Sequence, residues 1–364
     1  MFVGDRDRLT MIFRRIPNKR EFLARAFGQA GVLDLLEQTI ARRRPGLIVL
    51  TYHRIAEIEM DPFYTPVISA TPESFRTQIQ WLHNRMRMIT LDELIDQVTG
   101  GLSWREPVML LTFDDGYRDN FALAAPLLRE QNVPAIFFIP TGFVGLPKLP
   151  WWDHIAYVIK QTQVRRFVVD RCSTGSQPPL EIDLEAMSPT TAIVSIIRAF
   201  IDETVPDEQW FLDRLTQVCL VEFDSEALGR NLFMSWANVH ELADSSLAFT
   251  IGSHTHSHRK LATLNIDAQR DELARSKQIL QAKLERPIKA LAYPYGWPGT
   301  YTGQTKVLAI EAGYEFAFST REGVNPLDDF DRYEVKRLGV GSSDTPALLR
   351  ARSTLHAAFG KSFL

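Results

Sequence analysis

A chain of 364 residues, 45% hydrophobic and 23% charged, has the composition of a soluble globular protein and the length for one large domain with an insertion, or for two domains. Its formal net charge of −3 argues against a global basic field of the kind that recruits nucleic acid. The two cysteines, Cys172 and Cys219, lack metal-ligand spacing, so a disulfide framework or a cysteine zinc site is not expected, and a reducing interior fits.

In chain order, charge comes early, and Met11-Ile12-Phe13 is too short for the apolar region of a secretory signal. No run approaches the ~20 apolar residues that span a bilayer, so the expected compartment is the cytoplasm. Arg14 to Arg44 reads as an Arg-rich helix with Phe22, Leu23, Phe27, Leu33, Leu35 and Leu36. It could touch an anionic membrane surface peripherally, or pack on the domain or on a partner. Pro45 ends it, which sets 1–45 apart as an N-terminal helical extension.

Leu47 to Arg54 is an apolar, β-branched run that reads as a buried strand with polar groups at its end. Thr71-Pro72-Glu73 supplies an N-cap, a first-turn proline and a first-turn acid for a helix carrying Phe75, Ile79, Trp81 and Leu82. A brief strand at Met88–Thr90 and a helix to Val98 follow. Leu110 to Phe113 is a second buried strand, ending on Asp114-Asp115-Gly116. A helix is expected from Asn120 to Glu130 with Leu123, Leu127 and Leu128 on one face, then a strand at Val133–Ile139. Strands of this continuous apolar kind, alternating with helices, point to a parallel α/β layer or barrel.

The alternation stops at about 145–232. Pro147, Pro150 and Trp151-Trp152 open this stretch. A hairpin (Phe167–Val169 with Leu180–Ile182) and helices at Pro189–Asp202 and Pro206–Val218 fill it. It reads as an insertion without a core of its own. The alternation then resumes: a helix at Ser235–Leu242, strand Phe249–Ser253, helix Asp267–Leu284, strand Ile288–Pro294, helix Thr305–Ala312, strand Phe316–Phe318 and strand Glu334–Leu338. A closing helix at Pro346–Phe359 lies within a C-terminal segment, 345–364. Roughly seven or eight strands across 46–344 are enough for a barrel, where reactive groups gather at strand C-termini.

Two polar clusters lie at such ends. Asp114 and Asp115 would repel each other in a dry site unless a cation compensates, although Asp-Asp-Gly is also a common turn. His254, His256 and His258 fall within five residues directly after a strand. Two imidazoles and a carboxylate form a common ligand set for a catalytic divalent ion; His256 is left out of that set.

Thr112-Phe113-Asp114-Asp115-Gly116 together with His254-Thr255-x-x-His258 resembles the first two motifs of the polysaccharide deacetylases, carbohydrate esterase family 4 with its NodB-homology domain. Ala292-Tyr293-Pro294-Tyr295-Gly296 matches the third in part. The resemblance covers about Gly46 to Leu338, apart from the insertion. It implies a distorted (β/α)7-type barrel, here with a helical and hairpin insertion and the N-terminal extension. It implies that Asp115, His254 and His258 bind a divalent metal, zinc first and cobalt or nickel as alternatives, and that Asp114 is the base acting on the attacking water. It implies an oxyanion donor at the Tyr295 backbone N–H. The expected substrate is an N-acetylated glycan, as an oligosaccharide or a lipid-linked one.

Two departures stand out. The arginine that opens the family's third motif is Ala292 here, and Arg337 is the expected substitute. The late Leu-x-His motif that supplies the acid is absent, and His53, at the end of the first strand, takes its expected place. Tyr117 and Asp119 could line the cleft, Asp119 reading equally as a helix-start residue, and Trp152, with Trp151, could stack on a sugar ring or pack in the core. Asn325 in Gly-Val-Asn-Pro reads as a turn residue. A glycan-binding scaffold without turnover, or an amidohydrolase of another small C–N substrate, are the alternative functions.

Overall fold

A computed structural model describes residues 19–43, 46–100, 106–147, 149–172, 174, 177–201, 207–245, 249–327 and 329–360. The charged residues before 19 and the helix ends expected at Arg44, Asp202 and Pro206 lie outside this set. So do residues 361–364.

The strands are β1 (Gly46–Tyr52), β2 (Arg54–Ile55), β3 (Ile68–Ala70), β4 (Arg87–Met88), β5 (Val108–Phe113), β6 (Ala135–Ile139), β7 (Arg166–Val169), β8 (Leu180–Asp183), β9 (Phe249–Ser253), β10 (Ala290–Ala292), β11 (Phe316–Phe318), β12 (Asn325–Pro326) and β13 (Leu338–Gly339). β1, β5 and β6 are buried at every position, because helices cover one face and the interior fills the other. That is why they read as unbroken apolar runs.

The main sheet runs β11-β10-β9-β6-β5-β1, parallel throughout, with β4 added on β5. It curls until its edges are bridged. Val335 pairs with Phe318 at the end of β11, and β13 pairs with Leu50 and Thr51 of β1. The expected strand Glu334–Leu338 is therefore a split one. Its halves serve different neighbours, so regular pairing survives only at Val335 and at β13. Through this closure the first strand stands beside the last, in a distorted (β/α) barrel.

Four expectations are corrected. The leading helix is two, Lys19–Gln29 and Val32–Arg43, broken where Gly31 takes φ +71°. They pack Ala24 and Leu33 against Leu348 and Ala351 of the closing helix Pro346–Phe359, and Phe22 and Leu35 stay exposed. The helix after β5 begins with a π-type turn, in which Ala125 N–H reaches back to Asn120 O. The shifted register turns Leu123 outward and buries Ala124, Ala125 and Leu128. Asn325 is no turn residue. It sits in β12, antiparallel to β1, and its amide donates to Leu47 O and Lys336 O while accepting from Lys336 N.

The insertion is the fourth. It builds its own apolar cluster from Ile155, Ile159, Ile193, Ile196, Phe211 and Leu215, anchored on Tyr117, Phe143 and Phe233. A helix at Trp151–Gln161, which the sequence pattern did not reveal, carries much of it. Among the described residues no helix is long and apolar enough to cross a membrane.

Candidate active site

The C-terminal ends of the barrel strands deliver the polar residues to one place. Asp114 follows β5, and its N–H donates to Tyr52 O at the end of β1 (3.0 Å). Asp115 and Gly116 then take φ +72° and +68°, a tight left-handed turn. A Cβ at Gly116 would press on Pro140 and Ile139 at 3.3–3.4 Å. His254 follows β9, tied by its N–H to Ile139 O (3.0 Å). Thr255 and His258 are also left-handed, as is Tyr295 after β10. Four of the seven non-glycine residues of this kind among those described thus surround one point, and strain of that sort persists only where neighbours over-determine it.

Glu272, on the helix Ile266–Leu284, is what holds the histidine loop. Its buried carboxylate accepts the N–H groups of His256 (2.9 Å) and Ser257 (2.8 Å) and the Ser257 hydroxyl. Thr141 Oγ1 lies 2.9 Å from His256 Nδ1, so His256 points away from the centre.

Asp115, His254 and His258 converge, with one ligand atom of each within 4.8 Å of the others, and all three are buried. Both Nε2 atoms face Asp115 Oδ1, at 3.3 Å from His254 and 3.2 Å from His258. His254 Nδ1 lies 2.8 Å from Ala292 O, which can only accept, so Nδ1 carries a proton. A neutral His254 would then turn its Nε2 lone pair on the Asp115 oxygen, and only a proton or a metal cation relieves that opposition. The donor set fits a divalent cation. Burial alone pushes the Asp115 carboxyl up, but hydrogen bonds from His254 and His258 hold it well below the ordinary range. Burial likewise lowers both imidazoles. The Asp115 contact outweighs it for His254, which is raised, but not for His258.

Arg337, the residue expected to replace the missing arginine, is fully buried. It donates Nη1 to Asp114 Oδ1 and Nη2 to Asp114 Oδ2, both at 2.8 Å. Its Nε donates to Ser319 O (2.8 Å), and Nη1 also reaches Thr112 Oγ1 (3.2 Å). Burial would raise the Asp114 carboxyl, but the guanidinium outweighs it and keeps Asp114 below the usual carboxylate range. At Ala292 only the backbone carbonyl serves the site.

His53 lines the same cavity, its N–H held by Ser69 Oγ (2.9 Å) and its carbonyl by the Asn120 amide (2.5 Å). The cavity is about 350 Å³ and includes Tyr295 and Trp152 in its walls. Tyr117 departs from expectation. It is wholly buried behind Trp152 and does not line the cavity; its hydroxyl accepts from Trp152 Nε1 (2.7 Å) and donates to Asp153 (3.0 Å). Asp119 does not line it either: it accepts from Arg54 Nε (2.9 Å) and from the Ile55 N–H. Glu272, Trp297, Ile197 and Ile201 were not expected at or near the site. None belongs to a motif; Trp297 adjoins the third one directly after Gly296, and only the folded chain brings the other three there.

Comparison with known proteins bears on the family and the fold. A family model described as polysaccharide deacetylase matches residues 103–176 and 221–317, skipping the middle of the insertion. YxkH of Bacillus subtilis, named for the same family, is 30% identical over 100 residues, 27% of this chain and 33% of that protein. Poly-beta-1,6-N-acetyl-D-glucosamine N-deacetylase of Escherichia coli K12 is 24% identical over 103 residues, 28% of this chain and 15% of that one. The matched stretch is thus a third or less of either relative's length. The fold resembles the Streptococcus pyogenes deacetylase PplD in complex with acetate, at 16% identity and TM-score 0.54 over 84% of this chain and 97% of that one. It also resembles IcaB of Ammonifex degensii, at 18% identity and TM-score 0.54 over 86% and 97%.

Proposed function

Because the chain belongs to the polysaccharide deacetylase family, we propose that it hydrolyses the N-acetyl group of an amino sugar in a glycan and releases acetate. The observation that carries this is the pairing of a three-ligand cluster with a separate, arginine-held carboxylate one residue away. Asp115, His254 and His258 would hold a divalent ion, zinc in the first place, cobalt or nickel otherwise. When bound, such an ion brings the pKa of water toward neutrality and polarises a carbonyl.

Asp114 takes a proton from the attacking water, with both its oxygens aligned by Arg337. The water oxygen adds to the acetyl carbon, and the Tyr295 backbone N–H is the assigned donor to the resulting oxyanion. His53 gives a proton to the sugar nitrogen as the C–N bond breaks, leaving a free amine and acetate. Trp152 in the cavity wall bounds the space for the substrate. The capping insertion favours a specific oligosaccharide or a lipid-linked glycan over an extended polymer surface. Buried Cys172 and Cys219 fit a reducing, cytoplasmic setting, and exposed Phe22 and Leu35 are the points for any peripheral membrane contact.

A glycan-binding scaffold without turnover drew its support from Ala292. Arg337 beside Asp114 takes that support away, since a binder has no use for a carboxylate so oriented. The test is elemental analysis of the purified protein with an acetate-release assay on defined N-acetylated oligosaccharides. Wild type and Asp114→Asn should hold the same metal, and acetate release should fall by about 10²–10⁴-fold in the variant. Equal rates would sink the assignment of the base.

A further inference from the structure

The cavity above Asp114 and Asp115 has two unlike sides. The barrel side is polar. The outer wall comes from Tyr64, Val67, Trp151, Trp152, Ile197 and Ile201, while Trp297 follows Tyr295 and Gly296 on the barrel side and packs T-shaped on the Tyr295 ring (5.3 Å between centroids). Ile197 and Ile201 stand one turn apart on the same face of the helix Pro189–Ile201, so they form one aliphatic strip.

The branched aliphatic side chains neither hydrogen-bond a hydroxyl nor offer a flat face to a pyranose ring. Of the indoles, Trp151 is already stacked on Phe200, at 4.7 Å between centroids and 6° between planes. Trp152 has spent its N–H on Tyr117. A second or third sugar laid along this wall would turn its hydroxyls toward Val67, Ile197 and Ile201 and leave them unpaired. At about 350 Å³ the cavity is of the size of ordinary small-ligand sites, with room for one N-acetylated sugar and a group extending from it along the strip.

Resting on the deacetylase reading, we propose that the substrate presents a single N-acetylated sugar to Asp114 and Asp115 and lays an aliphatic group, not another sugar, against Val67, Ile197 and Ile201. The strip is then the specificity element that this chain's insertion adds to the barrel.

The experiment measures kcat/KM for acetate release by the full chain loaded with zinc. The substrates are the methyl, propyl and hexyl glycosides of N-acetylglucosamine and the N-acetylglucosamine pentamer. The expected result is a rise with alkyl length, up to about fourfold per methylene, with the hexyl glycoside at least tenfold above the pentamer. Ile201→Ser should lower the hexyl-to-methyl ratio. A flat alkyl series, or a pentamer as good as the hexyl glycoside, overturns the proposal and leaves the deacetylase reading standing. No acetate from any of these substrates overturns both.

Discussion

Asp114 and Arg337 are brought together from 223 residues apart, and both are shut away from water. Removing one partner of such a pair leaves an uncompensated buried charge, which costs about 3–5 kcal/mol, whereas removing both leaves none. Arg337→Met should therefore lower unfolding stability by that amount, and adding Asp114→Asn should restore most of it without restoring acetate release. Denaturant unfolding of the two variants checks this; a double variant as unstable as the single one would show that the ion pair is not what holds Arg337. Glu272 acts one step further out, through the loop between His254 and His258. Glu272→Ala should weaken metal affinity about 10–100-fold, as loss of an outer partner commonly does. Glu272→Gln, which still offers an oxygen to both N–H groups, should stay near wild type. Chelator competition separates the two, and equal affinities in both variants would reduce Glu272 to packing.

The helix Trp151–Gln161 connects barrel and insertion, and its Asp153 is fully buried between Tyr64 N–H (2.9 Å) and the Tyr117 hydroxyl. Burial pushes the Asp153 carboxyl up to about 7. The folded protein then holds this proton from about pH 4 to 7 while the unfolded chain loses it, so stability falls as pH rises through that window. Asp153→Asn keeps an acceptor but has no proton to lose. Its stability should be flatter by up to about 4 kcal/mol across those pH values, and thermal unfolding at several pH values would read the difference; parallel wild-type and variant curves would place the proton elsewhere. This helix also marks where sequence reading stops. Its N-cap is Pro150, which offers no side-chain cap, and its aromatic start mimics a binding loop. The helices from Pro72, Leu91 and Pro346 were legible because Thr71, Thr90 and Thr345 cap them. The π-type turn after β5 left no mark on the apolar spacing, so Leu123 was placed on the wrong side.

The barrel was legible because strands buried on both faces are written as unbroken apolar runs, and Asp114, Asp115, His254 and His258 were legible because each cluster is contiguous. What decides their surroundings is not contiguous. Arg337 reaches Asp114 through a strand split between two neighbours, and Ile197 and Ile201 come down from a cap whose separate core no local pattern announces. The cap leaves and rejoins the barrel at one point, since Gly145 N–H donates to Met234 O (3.0 Å). Residues 146–233 can therefore be excised and replaced by a short glycine linker without stretching the chain. Asp115, His254 and His258, proposed to hold the ion, and the Asp114–Arg337 pair all lie outside that segment, so the shortened protein should bind a divalent ion as the full chain does. Exposure of Tyr117 and Phe143 should lower its stability. The substrate would lose Trp151, Trp152, Ile197 and Ile201 together, so KM should rise by more than tenfold while kcat changes less, the pattern expected when ground-state and transition-state binding are lost alike. A shortened protein that folds, carries the metal and keeps its KM would show that the cap serves stability alone, and that the barrel by itself chooses the substrate.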